Sequence, residues 1–224
     1  MCFCLKFLLL IMNYGLCVCE KTFIEYIRSE RAAAYQGNYV STEFFVTVHK
    51  GDRMPTNAVR PFERPLTFGD KRYNVAVAIW IPETNHQAIW GRAWEGPDGV
   101  KAAFVHNNTL KMFDNPDTAN TFRILIYPGD IETNGFKFSW VRARDADHGA
   151  VLFSGSNRHV PAVFHEREGQ MEFEFLGDSD WPHQTMEYVL YDSQLIFSVG
   201  NLPNDRLFDD SVYVLTKQRC QCLC

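Results

Sequence analysis

Along most of this chain, apolar residues recur at every second position. In Phe136-Lys137-Phe138-Ser139-Trp140, and again in Met171-Glu172-Phe173-Glu174-Phe175, the large apolar side chains take one face and the polar ones the other. That is the period of a strand with one wet face, as in antiparallel sheets. Short runs rich in β-branched and aromatic residues predict further strands over 44–48, 75–81, 88–94, 102–105, 122–127, 151–153, 188–191, 195–199 and 212–215. The alternating runs themselves predict strands over 136–141 and 171–176. Turn formers lie between them, among them Gly51-Asp52, Gly96-Pro97-Asp98-Gly99, Pro128-Gly129-Asp130 and Gly177-Asp178. Only residues 22–36 carry helix formers with an apolar face. The pattern predicts an all-β fold, an antiparallel sandwich or barrel-like structure, with a short N-terminal helix.

The pattern also repeats. Residues 121–128 (TFRILIYP) resemble 185–192 (TMEYVLYD), and residues 100–106 before the first resemble 160–165 before the second. Two copies of one β-rich unit predict a tandem-repeat domain over 53–200, preceded by a helix and strand over 20–52 and followed by a last strand and tail over 201–224.

The ends differ from this body. The apolar run 7–12 follows Lys6 and is shorter than the roughly 20 residues a membrane span needs. It matches the apolar region of a signal peptide over 1–19, with cleavage near Cys19, and so predicts a secreted, extracellular protein. All 7 cysteines lie at the ends: Cys2, Cys4, Cys17, Cys19, Cys220, Cys222 and Cys224. The body therefore coheres by packing alone, without a thiol nucleophile or a thiolate metal site. Three cysteines in the tail cannot all pair within one chain, which offers a route to homo-oligomers.

Of the 224 residues 46% are hydrophobic, enough for a packed core, and the net charge is −5 with no long basic cluster. That excludes a dedicated nucleic-acid or anionic-membrane binder. No later segment is long and apolar enough to span a membrane. Asn107-Asn108-Thr109 is an N-glycosylation sequon, which in a secreted chain places Asn107 on a surface loop. Phosphate-binding, nucleophile-elbow and zinc-protease motifs are all missing from the sequence, so we expect neither an enzyme nor a cofactor. The clusters Asp145-Ala146-Asp147-His148 and Asp178-Ser179-Asp180-Trp181-Pro182-His183 read as polar turns rather than metal sites.

The richest local chemistry lies at 88–101. Trp90 and Trp94 share one face if they lie in one strand, with Arg92 between them and Lys101 beyond a Gly-Pro-Asp-Gly turn. Aromatic faces beside charged groups suit polyol recognition. The same spacing also fits two core tryptophans with Arg92 pairing at the surface.

Several short motifs in this region are similar to those of the DM-nine repeat family of invertebrate β-proteins. They are Pro55-Thr56-Asn57-Ala58-Val59, Gly91-Arg92-Ala93, Gly99-Val100-Lys101, residues 122–128 and Gly135-Phe136 through Trp140. The second copy matches more loosely, with Val163 where a lysine is expected, and residues 60–74 form an insertion. The resemblance implies a secreted, lectin-like recognition protein of innate immunity that binds glycans or a glycoprotein, with mannose as the family's sugar. It implies that Lys101 donates to sugar hydroxyls, that Glu83 accepts from them, and that Trp90, Trp94 and Arg92 line the site. The alternative it leaves is a structural or protein-interaction β module that has lost the sugar site.

Overall fold

The structure, a computed structural model, describes residues 44–82, 87–113, 121–147, 150–153, 158–191, 197–202 and 210–219. The chain divides into two compact units, residues 1–37 and 38–224, and the described residues all belong to the second. The expected signal peptide, the helix at 22–36, Glu83 and the cysteine tail lie outside the described residues.

The described residues form fourteen strands. From the first half come β1 (Phe45–Thr47), β2 (Leu66–Phe68), β3 (Lys71–Tyr73), β4 (Val75–Trp80), β5 (Ile89–Gly96), β6 (Gly99–His106), β7 (Thr109–Phe113) and β8 (Phe122–Leu125). The second half gives β9 (Phe136–Arg142), β10 (His159–Glu168), β11 (Met171–Asp180), β12 (Thr185–Tyr191), β13 (Phe197–Leu202) and β14 (Val212–Arg219). The fold is antiparallel and all-β, as the alternation predicts, and its sheets are curled. No helix among the described residues is long and apolar enough to cross a membrane.

Two sheets carry the same strand order. The first runs β1-β8-β4-β5-β6-β7 and the second β9-β14-β10-β11-β12-β13. Register confirms the correspondence. Across the first sheet, Val46, Ile124, Ala78, Gly91, Phe104 and Lys111 sit side by side. Across the second the row reads Val141, Val214, Ala162, Gly177, Tyr188 and Gly200. The glycines are required by the strand beside them. A Cβ on Gly91 would lie 2.5 Å from the Phe104 ring, and one on Gly177 would lie 2.1 Å from the Glu187 carbonyl oxygen. The copies are thus real, but their alignment differs from the expected one. β8 corresponds to β14, not to β12, and β6 corresponds to β12, not to β10. Local similarity paired strands that share only β-type composition, whereas the ladder fixes which strands are equivalent.

Each sheet buries both faces. The inner face of the first holds Ala76, Ala78, Phe104, Phe113, Phe122 and Ile124, and that of the second holds Val160, Ala162, Phe164, Phe175, Tyr188 and Val214. Between the sheets lies a third layer drawn from both, including Val75, Val77, Trp90, Leu125, Val163, Leu176 and Leu215. The sheets also draw on strands outside the span 53–200, since β1 pairs with β8 and β14 with both β9 and β10.

The insertion at 60–74 has a structural role. Its hairpin, β2 with β3, leaves the first copy and pairs with β11 of the second, Phe68 opposite Phe173. Glu174, only 2% exposed, anchors it. Its carboxylate accepts two hydrogen bonds from Arg64, at 2.8 and 2.6 Å, and one from the Thr67 amide at 2.7 Å. Burial opposes ionisation of Glu174, but the guanidinium and the amide outweigh it and hold the carboxyl below its usual range. The expected wet face of residues 171–175 is therefore covered at Glu174 by the hairpin. The expected turn at Gly177-Asp178 is likewise the middle of β11.

Candidate functional site

Trp90, Arg92 and Trp94 do share one face of β5, as their spacing predicts. That face is turned toward the second sheet, not to solvent. Trp90 is 1% exposed; its backbone N–H donates to Asp178 Oδ1 at 3.1 Å and its indole N–H to the His159 carbonyl at 3.1 Å. Arg92 is 3% exposed, with its guanidinium 5.4 Å from the centre of the half-buried Trp94 ring. The core reading therefore holds for Trp90, but Arg92 is buried with it rather than paired at the surface, and no sugar could reach either. Lys101 stands opposite Trp94 in the β5–β6 ladder, and its methylene stem fills the space beside Gly96.

Asn107 and Asn108 form the exposed β6–β7 turn, both with positive φ (52° and 58°), the geometry of a tight hairpin turn. Their amides donate to the Glu187 carboxylate of β12 at 3.1 and 2.7 Å, and the Asn201 side chain donates to Asn108 Oδ1 at 2.6 Å. The sequon loop thus ties the first sheet to the second.

The same seam holds a buried His–Asp pair. His159 opens β10 and Asp178 sits on β11; His159 Nδ1 meets Asp178 Oδ2, and Nε2 lies 2.6 Å from the Gln87 amide. Asp180 Oδ2 is 4.0 Å from Nε2 and is itself held by His183 Nδ1 at 2.7 Å. Burial is the largest influence on His159 and works against its charge. The hydrogen bond and charge of Asp178, with Asp180 and Glu187 beyond, outweigh it and raise the imidazole above its ordinary range. Burial in turn pushes the Asp178 carboxyl up, against the two N–H donors that favour its ionised form. Sequence reasoning saw the Asp178-Ser179-Asp180 cluster but read it as a turn, and it missed His159, which is remote in sequence.

A second feature lies at the far edge of the second sheet. An open groove of about 660 Å³ runs between β9 and the segment 56–63. Half-buried Phe62, Tyr127, Phe138 and Trp140 line it, with Arg60 and Lys137 at its rim. One wall contains two consecutive non-glycine residues in the left-handed region, Phe62 (φ 52°) and Glu63 (φ 57°). Such conformations cost about 1–3 kcal/mol each and tend to gather at binding sites. Phe62 is held there by edge-on contact with Tyr213, ring centres 5.1 Å apart, and by Trp140 at 5.7 Å.

Residues 43–204, well over half of the chain, match the family model of MFP2b, described as a cytosolic motility protein. The chain belongs to the MFP2b family. In shape, this MFP2b-family chain is similar to a crystal structure of the nematode sperm cell motility protein MFP2B, with a TM-score of 0.59 and 21% sequence identity. The likeness covers 80% of this chain and 46% of that one, so the chain spans about half the length of that relative. No curated protein matches the chain by sequence.

Membership in the MFP2b family overturns three expectations. The DM-nine resemblance rested on short strand-and-turn motifs that unrelated β-proteins share by composition, whereas the MFP2b match is continuous over residues 43–204. The expected secretion gives way to the cytosolic description of the family. The lectin-like, glycan-binding, innate-immune reading falls with the resemblance that implied it.

Proposed function

We propose that this chain works in a cytosolic motility apparatus as a binding component, not as an enzyme. The observation that carries the reading is membership in a family described as a cytosolic motility protein. The architecture supports it. Both sheets are filled by side chains, and the interior histidine is engaged on both ring nitrogens, by Asp178 and by Gln87. The accessible chemistry is at edges and turns, where one protein docks on another. The partner class we favour is accordingly a protein rather than a glycan.

The test is depletion. Removing the protein from a cytosolic extract of motile cells of the source organism should slow movement, and adding back the purified chain should restore it. Unchanged movement after complete depletion would reject the proposal.

A further inference from the structure

The groove beside β9 has the geometry of a strand acceptor. Leu215 turns its carbonyl, and Lys217 its N–H, toward residues 150–152, where they meet the Leu152 N–H at 3.0 Å and the Ala150 carbonyl at 2.7 Å. Backbone groups alternate sides along a strand. So Val214, Thr216 and Gln218 turn theirs toward β9, onto Val141, Ser139 and Lys137. Thr216 Oγ1 reaching the Ser139 carbonyl at 2.8 Å agrees with this. Phe138 and Trp140 must then aim N–H and C=O away from β14, at the open side. The Phe136 carbonyl, which has the same parity, does so and accepts from the Tyr127 hydroxyl.

Such an edge is a template for another strand. The sheets' other edges differ. β1 has 3 residues against 7 for β9, and β7 and β13 contact each other across the seam. The groove of about 660 Å³ lies between β9 and residues 56–63 and is bridged at one point, where the Trp140 indole N–H donates to the Arg60 carbonyl at 3.2 Å.

Charge decides what that chain is. β9 carries Lys137 and Arg142 and no acidic residue; Arg142 already faces Asp210 at 3.8 Å, so Lys137 is the strand's available charge. The ammonium of Lys137 and the guanidinium of Arg60 pair with no carboxylate among the described residues, and Glu63 is the groove's one acidic residue. Two β9 strands laid antiparallel would bring like charges together, which is unfavourable. An added strand with carboxylates facing Lys137, and apolar side chains facing Phe138, Trp140 and Phe62, would satisfy both walls.

We infer that the open edge of β9 receives an extended acidic segment of a partner protein, added to the second sheet as a further strand. The inference rests on the binding role proposed above and gives it a surface. It uses main-chain bonds for affinity and alternate side chains for selection.

The test uses the full chain and a short fluorescein-labelled peptide alternating glutamate and valine, read by anisotropy. The peptide should bind and weaken with salt, while the lysine–valine counterpart should not bind. N-methylation at alternate residues should weaken binding about ten-fold per lost main-chain pair in one phase and leave it unchanged in the other, since only one set of N–H groups faces β9. Lys137→Glu, an exposed substitution, should weaken the acidic peptide about three-fold. Equal sensitivity in both N-methyl phases, or equal binding of the lysine peptide, overturns the inference. So does a dimer of the chain that the peptide cannot disrupt, which would mean that a second copy occupies the edge. Loss of peptide binding in a variant that still restores motility would remove this surface while leaving the motility role standing. Peptide binding by a chain whose depletion leaves motility unchanged would do the reverse.

Discussion

At the scale of single residues, the chain shows how far a side chain's type can be separated from its role. Trp90 and Arg92 have the composition of a ligand site, yet the fold closes both between two sheets. Their shared face could be read from spacing; which way the face turns could not, because that depends on a second sheet whose contacts with Trp90, His159 and Asp178, lie 69 and 88 positions later. Gly91 and Gly177 are the opposite case. They look like punctuation in the sequence, and the structure makes them indispensable. At Gly177 an added Cβ meets backbone, the Glu187 oxygen at 2.1 Å and the Tyr188 Cα at 2.6 Å. Neither can move without breaking the β11–β12 ladder, so Gly177→Ala should cost about 3 kcal/mol. Gly169 is a control. It has φ of +61° with nothing near its missing Cβ, so Gly169→Ala should cost only the left-handed preference, about 1 kcal/mol. Urea midpoints of the two variants would check this; equal losses would mean that the close approach at Gly177 is relieved elsewhere.

At the scale of elements, alternation located β9 and β11, and runs of β-branched and aromatic residues located β4 and β5. The pattern missed β2, β3 and β7, whose Thr, Lys and Arg content hides them, and also β10, whose apolar run Pro161 interrupts. It also made a strand of 151–153, which forms only an isolated bridge with β14. The hairpin of β2 and β3 is the more consequential omission, because it covers the polar face of β11. Glu174 lies on that face, and Arg64 supplies its charge partner. A folded pKa held below the ordinary 4.5 means that this pair's contribution is fully present above pH 4.5 and is lost as pH falls through the lower, folded value. Glu174→Ala leaves the half-exposed Arg64 and the Thr67 amide without their acceptor and should cost about 2 kcal/mol at neutral pH. The same variant should lose less stability than the wild type on acidification. A parallel acid response in the two proteins would show that Glu174 is not the titrating anchor.

At the scale of the whole described body, two six-stranded copies meet through a layer whose members are equivalent but not identical. Arg92 follows Gly91 in one copy, and Asp178 follows Gly177 in the other; both side chains are buried between the sheets. Asp178 recruits His159 from its own sheet and the Trp90 amide from the other, so one carboxylate joins the two sheets here. No part of this arrangement is local in sequence, which is why the repeat was legible and the seam was not. The pair's pH dependence has a sign. Because the folded pKa of His159 is raised above 6.5, its contribution is fully present below pH 6.5 and is lost as pH rises through the folded value. Stability of the body should therefore decline on the alkaline side of pH 6.5. Trp90 reports the change locally, since its indole donates to the His159 carbonyl and its amide to Asp178. His159→Gln keeps a donor near Asp178 but cannot titrate. It should be less stable than the wild type below pH 6.5 and should lose the alkaline decline, measured as unfolding free energy from urea titrations at stepped pH. If the decline persists in that variant, the buried pair is a fixed hydrogen bond rather than a titrating one.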